Sequence, residues 1–126
     1  MLPTLGRSAK TIENPEKFFA MLGDIHDAEL ESFELDICND AIIIKVADLY
    51  NNFYQTSEYP GKLDCEFIAS NLSDLMIDVV INKIAYTRIL GFFAIQNVKN
   101  EKIAIEIRLN EGWIKFRCGN LIGMIR

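Results

Sequence analysis

The chain has 126 residues, half of them apolar and a quarter charged, which is the composition of one globular domain. Acidic side chains outnumber basic ones by 18 to 13, and the net charge of −5 argues against binding to nucleic acid or to an anionic membrane surface. No apolar run is long enough for a membrane helix, and the first residues lack the pattern of a secretory signal. We therefore expect a single cytoplasmic domain over residues 1–126.

The first predicted element is a short helix. Residues 1–11 have no clear periodicity and are expected to form either a loose N-terminal arm or a first edge segment. Asn14 and Pro15 are typical of a helix start, because Asn caps the first N–H groups and Pro has a helical φ. Apolar residues then recur at helical spacing as far as Gly23, a suitable left-handed cap. The pattern predicts one amphipathic helix that must pack on the rest of the domain.

From residue 27 onward the dominant period is two, the period of β-strands. Asn39 and Asp40 separate two alternating segments and predict a hairpin, and residues 50–62 form the one long loop. The predicted strands are residues 33–37, 42–46, 63–67, 75–81, 103–109, 113–118 and 121–125, with a less regular stretch over 84–98 that we interpret as one bent strand. Six to eight strands after one helix predict an α+β fold, mainly an antiparallel β-sheet with the short N-terminal helix packed on it.

The chain has three cysteines and one histidine. Cys38, Cys65 and Cys118 lie in apolar stretches without metal-binding spacing, so we expect buried free thiols in a reducing compartment. His26 stands beside Asp27, but one histidine cannot build a metal cage, and we expect no metal and no cofactor. A nucleophilic pair of His26 with a thiol stays open as one alternative. The other is a structural histidine at the joint between helix and strand.

Charge is unevenly distributed along the chain. Residues 1–63 carry a net charge of −6 and residues 64–126 a net charge of +1. Between Asp24 and Asp40 there are seven acids and no base; we call them the acidic block, and they are Asp24, Asp27, Glu29, Glu31, Glu34, Asp36 and Asp40. Because Glu34 and Asp36 alternate with apolar residues, their carboxylates should lie on one sheet face. That face is either a solvated surface that keeps the protein dispersed or a docking face for a basic partner.

Acids on later strands and tyrosines in the long loop are further candidates. Asp64, Glu66, Asp74 and Asp78 could be paired for hydrolysis, although solvated carboxylates are the simpler interpretation. Tyr54 and Tyr59 lie in the long loop, where aromatic side chains often anchor a partner. The loop could equally fold back over the sheet on those rings.

Three segments resemble a known family. They are Asp24-Ile-His-Asp-Ala-Glu-Leu30 after the short helix, Leu63 to Ile77, and Ile105-Glu-Ile-Arg-Leu-Asn-Glu-Gly-Trp-Ile-Lys-Phe-Arg-Cys118. Together with the strand from Ser32 to Ile37, they are similar to small bacterial immunity proteins of the immunity protein 50 type, with an H-D-x-x-L opening motif. The resemblance covers most of the chain after residue 17. It implies a cytosolic antidote that binds a toxin domain, commonly a basic nuclease, and it brings no catalytic residues.

We therefore expect a non-enzymatic binding protein, an immunity protein that neutralises a cognate basic toxin domain through an acidic surface. The expected partner contacts are Glu29, Glu31, Glu34, Asp36, Asp40, Tyr54 and Tyr59. One alternative is a ligand-binding or enzymatic β domain with a pocket near His26. Another is a subunit of a homo-oligomer that associates through an edge strand such as Lys102 to Leu109.

Overall fold

The structure, a computed structural model, describes residues 2–80, 87–96 and 102–126. Parts of the strands predicted at 75–81 and 84–98 lie outside these residues. The described elements are β1 (Lys10–Thr11), α1 (Pro15–Met21), β2 (Glu29–Asp36), β3 (Ala41–Ala47), β4 (Cys65–Ser70), β5 (Ser73–Val79), β6 (Ile89–Gln96), β7 (Ile103–Leu109), β8 (Gly112–Cys118) and β9 (Asn120–Ile125), with 3-10 turns at Gly23–Ile25, Ile37–Asn39 and Asn51–Phe53.

The helix begins where the sequence predicts. Oδ1 of Asn14 accepts a hydrogen bond from the backbone N–H of Lys17 at 3.2 Å, and Pro15 occupies the first turn. Gly23, with φ of +63°, follows the last turn and reverses the chain. The predicted cap and stop are confirmed.

The described strands form two antiparallel sheets. The order is β1-β9-β4-β3-β2 in the first sheet and β5-β8-β7-β6 in the second. The predicted α+β class is confirmed, but the described residues hold nine strands in two sheets where six to eight were expected. The strand named for the homo-oligomer alternative, Lys102 to Leu109, was expected at a sheet edge, and this is wrong because β7 lies between β6 and β8.

At two places the chain passes directly from a strand of one sheet into a strand of the other. β4 leads into β5, and β8 leads through Gly119 into β9. Gly119 donates its N–H to the carbonyl of Ser70, and a Cβ at Gly119 would lie 2.9 Å from Cβ of Asn71. The corner therefore requires glycine, because any side chain would push the two strands apart.

Aromatic side chains join the two sheets to the helix. Phe19 of α1 stacks on Phe92 of the second sheet with ring centroids 4.2 Å apart. Phe67 of the first sheet lies 5.4 Å from each of these rings. All three are buried, so α1 fills the space between the inner faces of the two sheets.

The N-terminal segment is held against the domain. β1 pairs with β9, the hydroxyl of Tyr50 donates to the carbonyl of Pro3 at 2.8 Å, and Ile125 donates its N–H to the carbonyl of Gly6. Leu5 packs on the core. Of the two possibilities for residues 1–11, the structure has the edge segment.

Candidate functional site

The outer face of the first sheet carries apolar side chains that the core does not use. In β3 the residues Ile42, Ile44 and Val46 are buried, so the alternate residue Ile43 points outward. Strand register aligns Ile43 with Ile68 of β4 and Ile122 of β9, which we call the isoleucine stripe. All three side chains are partly exposed and lie outside the core cluster.

Carboxylates border the isoleucine stripe on β2 and β4, whereas Thr11 lies at its β1 end. Glu34 of β2 lies in the same cross-strand row, opposite Ile43. Register places Glu29, Asp36, Glu66 and Lys45 on this face as well. Glu29 shares a shallow recess with Lys62 and Arg88. The face therefore has an apolar centre and an acidic rim.

Glu31 is already engaged within the chain. It lies at a β-bulge between Leu30 and Ser32, and its Oε1 is 2.5 Å from Nη2 of Arg126. Because β3 and β4 lie between β2 and β9, the Arg126 side chain must cross the sheet to reach it. Arg126 also approaches Asp64 at 3.9 Å, so it offsets part of the negative charge at this end.

Asp36 and Asp40 shape the turn between β2 and β3. Asp36 accepts hydrogen bonds from the backbone N–H of Asn39 at 3.3 Å and from its side-chain amide at 2.8 Å. Asp40 has φ of +47° and closes the turn. Cys38 was expected to be buried, and this is wrong because it lies exposed in the 3-10 turn. Ile37, predicted as the last residue of the strand, begins this turn and is 82% exposed.

Of the two loop tyrosines, Tyr59 is hydrogen-bonded within the chain and Tyr54 is exposed. The Tyr59 hydroxyl donates to Oδ2 of Asp48 at 2.8 Å, and loss of hydration together with this bond raises the pKa of Tyr59 to about 12. Tyr54 is 61% exposed, with its ring 5.4 Å from that of Tyr59. Asp48 follows β3 and Asp40 precedes it, so the tyrosines and the turn lie at opposite ends of that strand.

His26 and the buried thiols do not come together. His26 is 48% exposed, and its Nδ1 lies 3.1 Å from Oδ2 of Asp27. Cys65 and Cys118 are buried in the core, where burial raises the pKa of Cys65 far above its usual range and that of Cys118 to about 11. The described residues thus contain no activated thiolate beside His26.

The remaining acids are dispersed. Asp64 accepts the N–H of Asp48 at 3.0 Å, and Asp74 lies 3.9 Å from Arg117. Within the described ranges no group of three or more His, Cys, Asp or Glu side chains is arranged to hold a metal ion.

The isoleucine stripe is the feature that sequence reasoning missed. Its signal is a pair or run of consecutive apolar residues where strict alternation requires a polar one, as at Ile42-Ile43-Ile44, Phe67-Ile68 and Leu121-Ile122. A strand with one solvated face should have polar residues at the second position of each pair.

Comparison with protein-family models, curated proteins and solved structures found no match to the chain. The helices of the described residues are all too short or too polar to cross a membrane.

Proposed function

We propose that this protein is a non-enzymatic binding protein whose outer first-sheet face docks a basic protein domain. The partner is a toxin that the protein neutralises in the cytoplasm, which makes the protein an immunity protein. The observation that carries the proposal is the isoleucine stripe inside its rim of carboxylates. The sequence resemblance to small immunity proteins points the same way.

The arrangement matches the anatomy of a protein interface. Interfaces have a desolvated apolar centre and a polar rim, and contiguous exposed apolar side chains on a small protein mark a binding surface. Ile43, Ile68 and Ile122 supply the centre. Glu34, with no ion pair to a described base, supplies free negative charge beside it. Complementary charge speeds encounter, and burial of the isoleucines then slows dissociation.

Two rim carboxylates make the sharpest test. Glu34→Lys combined with Glu66→Lys reverses the charge of the rim without touching the turn built by Asp36 or the Glu31 to Arg126 bridge. Glu111→Lys is the matched control, because Glu111 is an exposed acid in the turn between β7 and β8 of the second sheet. Each tagged protein is used to capture partners from its host's lysate at low salt, followed by elution at moderate salt.

The expected result is one basic domain that binds the wild-type protein and the Glu111→Lys control, elutes with salt, and loses its toxicity when co-expressed with the wild type. The double variant should associate about tenfold more slowly or worse. Ile68→Ser should instead speed dissociation. Equal capture by the double variant, or a captured domain that is not basic, contradicts the proposal.

A further inference from the structure

The outer face of the second sheet differs in charge from that of the first. Its register forms three cross-strand rows, namely Ser73-Arg117-Ala104-Ile95, Met76-Lys115-Glu106-Phe93 and Asp78-Trp113-Arg108-Gly91. Asp74, at the bulge of β5, lies 3.9 Å from Arg117. With Asp74 included, these rows carry three cations and three carboxylates, and Nζ of Lys102 adds a fourth cation where it donates to the Ser73 hydroxyl at 3.0 Å.

This face is also rich in exposed apolar surface. Ile95 is 64% and Met76 is 54% exposed, and the rings of Phe93 and Trp113 are partly exposed beside them. The Phe93 ring lies against Gly91, where an added Cβ would come within 2.4 Å of it. Residues of all four strands, among them Asp74, Phe93 and Arg117, line a shallow concavity of about 490 Å³. An apolar face without an excess of carboxylates is unusual on a chain with a net charge of −5.

We propose that this face pairs with the same face of a second copy of the chain in a weak symmetric dimer. A two-fold axis parallel to the strands, between β7 and β8, places β8 of one copy over β7 of its partner and β5 over β6. Lys115 of one copy then lies opposite Glu106 of the other, and Met76 lies opposite Phe93. Trp113 lies opposite Arg108, which suits a cation–π contact. Each of these pairs occurs twice.

Other self-pairings are opposed by charge. An axis perpendicular to the strands and over the central row would place Lys115 over Lys115 and Glu106 over Glu106. Pairing through the outer face of the first sheet would bring two acidic rims together. The pairing between Lys115 and Glu106 is thus the one that complements both charge and apolar content.

The size of the face sets the strength of the dimer. Four strands at about 4.8 Å spacing and seven residues at about 3.3 Å give roughly 440 Å² in projection for each copy. The three rows and Asp74 make thirteen residues, against about 20–30 on each side of a standard interface. The dimer should therefore be transient and visible only as the protein concentration is raised.

Charge swapping separates this pairing from effects inside one chain, where Glu106 also lies 3.3 Å from Lys115. Glu106→Lys and Lys115→Glu are made separately, and mass is measured by sedimentation equilibrium over a concentration series. The wild type should approach twice its monomer mass of 14.4 kDa. Each variant alone should associate about tenfold or more weakly. An equimolar mixture should restore association, because one variant then presents only cations and the other only carboxylates at the two central positions.

Three results would overturn the dimer: a wild type that stays at the monomer mass, single variants that dimerise normally, or a mixture that stays monomeric. Met76→Asp should also prevent association, and it keeps the test open if a charge variant fails to fold. Glu66→Lys, on the outer face of the first sheet, is the matched control and should dimerise normally. Because partner capture uses the other face, failure of the dimer leaves the proposed function untouched.

Discussion

Phe92 and Phe93 are neighbours in sequence, but Phe92 lies in the core and Phe93 on the outer face of the second sheet. Truncating each to alanine should therefore lower the free energy of unfolding by very different amounts. Phe92 is fully buried and contacts the rings of Phe19 and Phe67. Phe93 faces outward, where Arg108 lies 5.2 Å from its ring centroid. Removing a buried phenylalanine side chain costs about 3–5 kcal/mol of unfolding free energy. Since Phe92 also loses two aromatic pairs, each of about 0.5–1.5 kcal/mol, Phe92→Ala should fall at the upper end of that range.

Phe93→Ala is the matched control and should cost about 1 kcal/mol or less, because it removes a partly exposed ring and one cation–π contact. The free energy of unfolding is measured by urea denaturation followed by far-UV circular dichroism, at a concentration low enough to keep the protein monomeric. With a total stability of about 5–15 kcal/mol, Phe92→Ala could leave a partly unfolded protein, and Phe92→Leu then gives a milder version of the same comparison. Costs for the two alanine variants within about 1 kcal/mol of each other would refute the two-layer placement of these side chains.

Four further predictions concern local features. Asn14→Ala should lower the free energy of unfolding by about 1 kcal/mol in urea denaturation, since the first turn of α1 loses its side-chain cap. Gly119→Ala should cost more, about 1–3 kcal/mol, because the new Cβ meets Asn71 at the corner, and Asn71→Gly should restore part of that loss. Of the three thiols, that of Cys38 alone should react with a thiol reagent in the folded protein near pH 8. Because the pKa of Cys118 rises from 9 to about 11 on folding, the unfolded chain loses this proton first, and stability should fall as pH rises through that interval.

The fold was predictable to the level of its elements. The helix start at Asn14 and the hairpin around Asp40 follow from local chemistry, namely a side-chain cap and a turn residue that tolerates positive φ. The division into two sheets was not predictable, because it depends on the close approach of Gly119 to Asn71, which are far apart in the chain. Periodicity reports which residues alternate, but it does not report where a strand changes sheet.

The acidic residues of the candidate site were predictable from the sequence, but the isoleucine stripe at its centre was not. Glu34 and Asp36 do share the outer face, as the alternation of β2 predicts. Asp36 and Tyr59 were expected to contact a partner, yet hydrogen bonds within the chain already involve both side chains. The isoleucine stripe forms only when three distant strands align in register, and no local pattern specifies that register.

The order of the chain explains why the two outer faces differ. The acidic first half supplies β2 and β3 of the first sheet, whereas all four strands of the second sheet come from the second half, whose net charge is +1. Segregation of charge along the sequence thus becomes segregation between the two sides of the molecule. The basic domain that we propose as partner would be steered by this field toward the first sheet, because steering acts on the summed charge before contact. Under the two proposals the outer face of the second sheet pairs with a second copy, so Glu106→Lys should weaken dimer formation about tenfold or more while the partner is still captured through the first sheet.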